Sequence, residues 1–483
     1  MPLAGAAEPS PEIGADRRTQ HGPLRFASEA KARRIAAWCE AGLDATAMPF
    51  FPLLVLLPRA VVPLVSVAGL CAAGLVLSTG ASKPCLAVKL TAALFGTLVV
   101  WGAFSALWSI DPGRSLIIAA RLAALAAVGL SLVAATGRLR APERLNRLLL
   151  TGLALGVAAS AADLVTGGAV GAPFTDRAYQ PAGLNRASVS FAIALLPAAA
   201  VLLCRGQKLL ALAIGATTSA VIGVLAGTAA KAALLAALPA GLLLYLSRTR
   251  FARAAAVVSV LIILTAPLTF AKLAQLPLLP HSADAIKSSG GHRLFIWSFA
   301  GDRTAERPLI GWGLDASRAI PGGSDPIRSG QTWLPLHPHN APLQLWLELG
   351  VPGAVTLALL IALAWVALAE MDWDPLFAAA AGASLTAALL ASFASYGMWE
   401  EWWVSALWFL LYAVLVMGRI AGRGAAPRRA ARNIPVLQQK ARHSDQDDND
   451  YCKRIPDKAG EPDPGLPMPF EFGIYRRHAT PYR

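Results

Sequence analysis

Long, nearly uncharged apolar runs make up most of this chain, and they restrict its fold more than any motif it carries. Runs near 60–78, 86–108, 116–136, 146–164, 187–204, 351–369 and 376–396 are built mainly from Leu, Ala and Val. A hydrocarbon layer of roughly 30 Å needs about 20 apolar residues per helix. Backbone groups in lipid must also be satisfied within the segment, which favours helices. Only 15% of the residues are charged and 55% are hydrophobic, whereas a water-soluble chain carries about a quarter charged. The fold class is therefore all-α, a polytopic transmembrane helical bundle. Further runs near 44–57, 208–226, 230–247, 253–270 and 402–419 bring the expectation to about twelve spans.

The spacers test this register. The formal charge is +14, and its Lys and Arg sit in short spacers and in the two tails. With a cytoplasmic N-terminus, the inside spacers hold Lys83, then Arg138, Arg140 and Arg144, then Arg205 and Lys208, then Arg248, Arg250 and Arg253. The tail from Arg419 through Arg423, Arg428 and Arg429 falls on the same side, as the positive-inside rule requires. The acidic spacer 370–374 is the exception, and acids contribute little to orientation. A basic excess confined in this way excludes a nucleic-acid footprint. The expected organisation is a disordered cytoplasmic tail over 1–42, nine spans over 43–270, a large outer loop over 271–350 with short helices, three spans over 351–420, and a disordered cytoplasmic tail over 421–483. No cleavable leader is evident after Lys31, Arg33 and Arg34. None of the five cysteines lies in a CxxC pair and the outer loop has none, so neither a disulfide framework nor a cysteine–zinc site is supported.

The outer loop concentrates polar chemistry. In Leu334-Pro-Leu-His337-Pro-His339-Asn340-Ala-Pro-Leu, Asn340 reads as a helix N-cap and Pro342 fits a first turn. Leu343, Trp346, Leu347 and Gly350 then share one face. His339 sits just before a helix N-terminus, where anionic groups are favoured. A histidine there suits a general base; the plainer reading makes His337 and His339 interfacial loop residues. Upstream, Arg293 and Trp297 are spaced to share a helix face, ahead of Arg307-Pro308 and Gly311-Trp-Gly313. Arg293 suits bidentate phosphate binding or, with Trp297, a headgroup anchor. Lys231, at the outer end of an apolar helix, either snorkels or serves a site. Asp372-Trp-Asp374 resembles a short acidic metal pattern but belongs to an inner spacer.

Together these pieces resemble the O-antigen ligase family, which includes related polysaccharide polymerases. The pattern is His339-Asn340, nine residues, then Gly350-Val-Pro-Gly353. The Arg293–Gly313 run and Leu107-Trp108-Ser109-Ile-Asp111-Pro112 with Arg114-Ser115 are also similar, so the resemblance covers most of 45–420. It implies a GT-C-like architecture and a metal-independent, inverting glycosyl transfer without a cofactor. The donor would be a glycan on undecaprenyl pyrophosphate, the acceptor a hydroxyl of the lipid A core, and the site would face the periplasm from the inner membrane. Carried over, His339 acts as base and Arg293 binds pyrophosphate, with Lys231, Arg186, His337 and Asn340 as substrate-binding residues. The family usually has a Ser-Arg pair where this chain has Ala230-Lys231. A lysine still binds phosphate as a point charge, and Arg186 is a further cation on the same side. A polymerase of the same fold is the alternative, and a non-enzymatic transporter a second; the latter would bury ionisable residues at mid-membrane.

Overall fold

The computed structural model describes residues 23–80, 84–174, 180–225, 227–286, 289–328 and 330–422. The two expected tails beyond these limits, together with Lys83 and Lys287, lie outside the described residues. The fold is all-α. In order the helices are α1 (Pro23–Ala47), α2 (Phe50–Leu56), α3 (Val61–Ser78), α4 (Leu86–Phe104), α5 (Pro112–Thr136) and α6 (Pro142–Val165). They continue with α7 (Asn185–Cys204), α8 (Lys208–Val224), α9 (Thr228–Leu273), α10 (Leu279–Ile286), α11 (Gly290–Glu306), α12 (Ala341–Glu370) and α13 (Pro375–Ala394). The described chain closes with α14 (Glu401–Gly422). A two-stranded antiparallel hairpin, Pro326–Arg328 with Gln331–Thr332, is the sheet among the described residues.

Among the described residues, nine helices are long and apolar enough to cross a membrane, or ten if the bent pair α1–α2 is one span. The chain is thus an all-α multi-pass membrane protein. Three details correct the expected map. The first tail was expected to be disordered through residue 42, yet α1 already runs from Pro23; its half facing the bundle buries Ala36 and Leu43, which gives the helix a packing partner. The run at 208–226 forms only a 17-residue helix. Finally, the runs at 230–247 and 253–270 are joined in α9, with a non-helical break at Ser247. That break coincides with the basic spacer Arg248–Arg253, so it is the turn the charge pattern anticipated.

Sequence chemistry explains where the helices begin. Pro112, Pro142 and Pro375 open α5, α6 and α13, where a missing N–H costs nothing. Asp111 accepts from the Arg114 amide at 3.1 Å and Asn340 from the Leu343 amide at 3.0 Å. In lipid, close approach of backbones replaces hydrophobic drive. Small residues accordingly line the contacts: Gly241 on α9 lies against Ala383 on α13, and Gly382 on α13 against Leu244 on α9. Trp346 and Trp365 of α12 donate to the Ile263 carbonyl at 2.8 Å and Ser259 Oγ at 3.3 Å on α9.

Candidate active site

The outer loop is held to the bundle by backbone. Gly311 and Gly350 have φ values of 69° and 63°, in the left-handed region that glycine enters without a Cβ penalty. A Cβ on Gly350 would stand 2.5 Å from the Leu309 carbonyl, and one on Gly311 would meet the carbonyl of Glu348. The amides of Trp312 and Gly313 donate to the Leu347 and Glu348 carbonyls at 2.9 and 2.8 Å, and the Val351 amide to the Pro308 carbonyl at 3.1 Å. Two indoles lock the crossing: Trp108 Nε1 donates to the Ile310 carbonyl and Trp101 Nε1 to the Leu349 carbonyl. Ser115 Oγ donates to the Leu314 carbonyl at 2.8 Å. The Gly-x-Gly run, Gly350 and the Trp108–Ser115 segment are therefore parts of one clamp.

His339 follows from that clamp. Its φ is 56°, uncommon for a residue with a Cβ. Its Nδ1 lies 2.8 Å from the Ser395 carbonyl. A carbonyl only accepts, so Nδ1 carries the hydrogen and the neutral ring keeps its basic lone pair on Nε2. Arg293, on α11, donates to the adjacent Ala394 carbonyl. Burial lowers the Arg293 pKa from its ordinary value, yet a guanidinium keeps its charge in proteins. Trp297, one turn on, donates to the Pro338 carbonyl at 2.9 Å. The Arg–Trp face thus holds the histidine loop, rather than anchoring headgroups.

His337 differs from its neighbour. It is 6% exposed, and its Nδ1 accepts the His339 amide hydrogen at 3.1 Å. Burial, then His339, Arg318 and Arg293, push its pKa down to about 3. The ring is neutral at physiological pH, so its 3.8 Å approach to Glu400 is not an ion pair. Asn340 is fully buried, with Oδ1 committed to the α12 cap. Arg186 lies over the Trp402 ring at 5.3 Å. Tyr396 stacks against that ring and donates to the Asn185 carbonyl at 3.1 Å. Burial raises its phenol to about 12, against opposing pulls from Arg186 and Arg293. Arg186, Arg293, His337 and His339 therefore meet around residues 394–402. Lys231 sits in the first turn of α9, whose cap Gly227 abuts Asn185 and Ser188. Its own side chain has no described bond to the cluster.

The buried carboxylate of Glu348 organises the floor. It is 0% exposed. It accepts from the Asp315 amide at 2.6 Å, from Gln344 Nε2 at 3.1 Å, and from Ser317 Oγ and Trp399 Nε1. Arg114 donates to Asp315 at 2.6 Å; burial raises the Asp315 pKa and Arg114 opposes the rise. Beside this network opens a cleft of about 450 Å³, lined by Arg59, Arg114, Arg121 and Arg318 with His337, Trp399, Glu400 and Trp402. Of Glu348 and the cleft arginines, only Arg114 was singled out from sequence; Glu348, Arg59, Arg121 and Arg318 were not. Glu348 carried a signal, as the lone charge in the apolar stretch 341–369; nothing local marks Arg59 or Arg318 as parts of one cleft. Among the described residues, no group of three or more His, Cys, Asp or Glu could hold a metal ion.

The sequence model of the O-antigen ligase family matches residues 214–358. Over that segment the chain is similar to the O-antigen ligase family. The match takes in Lys231, Arg293, His339 and Gly350, and stops short of the 394–402 segment. The chain is 33% identical over 138 residues to a protein of Rickettsia conorii that carries an inferred polysaccharide-ligase name; this covers 28% of this chain and 33% of that one. A counterpart from Rickettsia prowazekii is 36% identical over 140 residues, 28% of this chain and 34% of its own. One from Rickettsia typhi is 35% identical over a stretch covering the same shares. The chain spans about a third of the length of the curated relatives it matches. No solved structure matches the chain.

Proposed function

We propose that this chain is an O-antigen ligase that moves a glycan from undecaprenyl pyrophosphate to a sugar hydroxyl of the lipid A core, at the periplasmic face of the inner membrane. The observation that carries the reading is one juxtaposition. His339 Nδ1 is tied to the Ser395 carbonyl and Arg293 to the neighbouring Ala394 carbonyl, so a base and a cation are anchored to adjacent residues. In the step, the acceptor oxygen bonds to the anomeric carbon while the bond from that carbon to the pyrophosphate oxygen breaks. The hydroxyl proton passes to His339 Nε2. The pyrophosphate leaves with the electron pair, its charge met by Arg293 and Arg186, with Lys231 as a third cation. Such preorganised charge is the main lever for this chemistry, and a single displacement inverts the anomeric centre. His337 and Asn340 position the base, the first through its bond to the His339 amide and the second by capping α12.

The test is a lipopolysaccharide gel from a deletion strain with complementation. Deletion is expected to leave long glycan stranded on the carrier; single stranded repeat units would instead identify a polymerase. His339→Ala and Arg293→Ala are expected to insert normally and to lower glycan display at least about 100-fold, the usual worth of a positioned base or charge. Normal display in His339→Ala would remove the catalytic assignment.

A further inference from the structure

The cleft holding Arg59 and Arg318 is not used by the reaction as written. Its lining includes neither Arg186, Lys231, Arg293 nor His339. Arg114 and Arg121 are matched by Asp315 and Glu401. Arg59 and Arg318 are exposed and form no ion pair among the described residues, although the charge of Arg318 is felt by Asp315. Trp399 and Trp402 supply flat apolar walls, and Gln344, Glu400 and Glu401 add acceptors. Polar groups of both kinds between aromatic walls suit the hydroxyls and ring faces of a sugar, and two exposed guanidiniums suit a phosphate on it. Arg121 strengthens the reading. It lies within a candidate span, where a charge is costly unless it faces a wet cavity.

Residues 394–401 meet these parts in turn along the chain. Arg293 meets Ala394, and His339 meets Ser395. His337 is packed on Gly397, where a Cβ would come within 2.8 Å of it, and approaches Glu400. The cleft begins at Gly397. His337, which touches the base, also lines the cleft, whereas Arg293 does not. In an inverting displacement the nucleophile and the leaving group occupy opposite faces of the sugar. With pyrophosphate at Arg293, the flank beyond His337 is left for the molecule that brings the hydroxyl. We propose that the Arg59–Arg318 cleft binds a phosphate-bearing saccharide of the glycolipid acceptor, on the flank of His339 opposite Arg293. This rests on the transfer reaction proposed above and adds a recognition element to it.

The experiment uses the full chain in lipid nanodiscs, a glycan-bearing pyrophosphate lipid as donor, and acceptor glycolipid with its sugar phosphates intact or removed by phosphatase. The double variant Arg59→Gln/Arg318→Gln is expected to raise the KM for intact acceptor by about tenfold or more, the worth of one or two charge-assisted bonds. Donor KM and kcat stay unchanged, and the variant and the wild type handle dephosphorylated acceptor alike. A rise in donor KM instead would assign the cleft to the carrier pyrophosphate and overturn the proposal. So would an unchanged acceptor KM, or an equal loss with dephosphorylated acceptor. Direct binding of intact and dephosphorylated acceptor is measured in parallel on both proteins. A wild type that binds phosphorylated acceptor through these arginines yet transfers nothing sinks the reaction and leaves the cleft assignment standing; a wild type that transfers but binds both acceptors equally does the reverse.

Discussion

His337 and His339 stand two residues apart with opposite tautomers, because each ring nitrogen has a different neighbour. His339 Nδ1 faces a carbonyl and must donate; His337 Nδ1 faces an amide and must accept. The low pKa of His337, about 3 against an ordinary 6.5, has a signed consequence. Between those values the unfolded chain takes up a proton that the folded one refuses, so stability is present above pH 6.5 and is lost as pH falls toward 3. At pH 5 the loss from this residue is about 2 kcal/mol. His337→Gln is expected to lower the thermal midpoint less than wild type on moving from pH 7.5 to pH 5, read by differential scanning fluorimetry in detergent. An equal shift in both proteins would contradict the assignment. At this scale the sequence disclosed the two histidines and Arg293 through their spacing and neighbours. It could not disclose Asp315 as the partner of Arg114, because 201 positions separate the two and nothing local to either names the other.

At the scale of elements, the crossing of Gly311 over Gly350 carries the loop. Gly350→Ala would need a left-handed φ of 63° and a Cβ 2.5 Å from a backbone carbonyl. The strain alone is on the order of 1–3 kcal/mol, and the clash falls on backbone that cannot rotate away. Loss of glycan transfer and a clearly lower thermal midpoint are expected. Gly113→Ala, with nothing near its would-be Cβ, serves as the control and should be neutral or slightly stabilising. The helices themselves were legible, since apolar length and proline or Asn/Asp starts mark them. The break at Ser247 was legible too, through the basic spacer beside it. The short α8 and the early start of α1 were not. Apolar length near 208–226 does not reveal where the helix yields to the Leu225–Gly227 turn, and α1 is stabilised by packing against distant helices.

Over the whole molecule, one charge rule orders the chain. By the positive-inside rule every strongly basic short spacer is expected on one face, and Arg59, Arg114, Arg186, Lys231 and Arg293 on segments of the other. Alkaline phosphatase fused within 289–328 is therefore expected to be active in cells, and fusions at 205–207 or 248–250 inactive. The reverse pattern would place the histidine loop in the cytosol and end the proposed reaction. The joining of Arg293 and His339 to the Ala394 and Ser395 carbonyls has a consequence in time. The ribosome makes the histidine loop first and its two anchoring carbonyls only later, at the close of α13. Until α13 has been translated and inserted, a nascent chain therefore carries the histidine loop without the two carbonyls that fasten it.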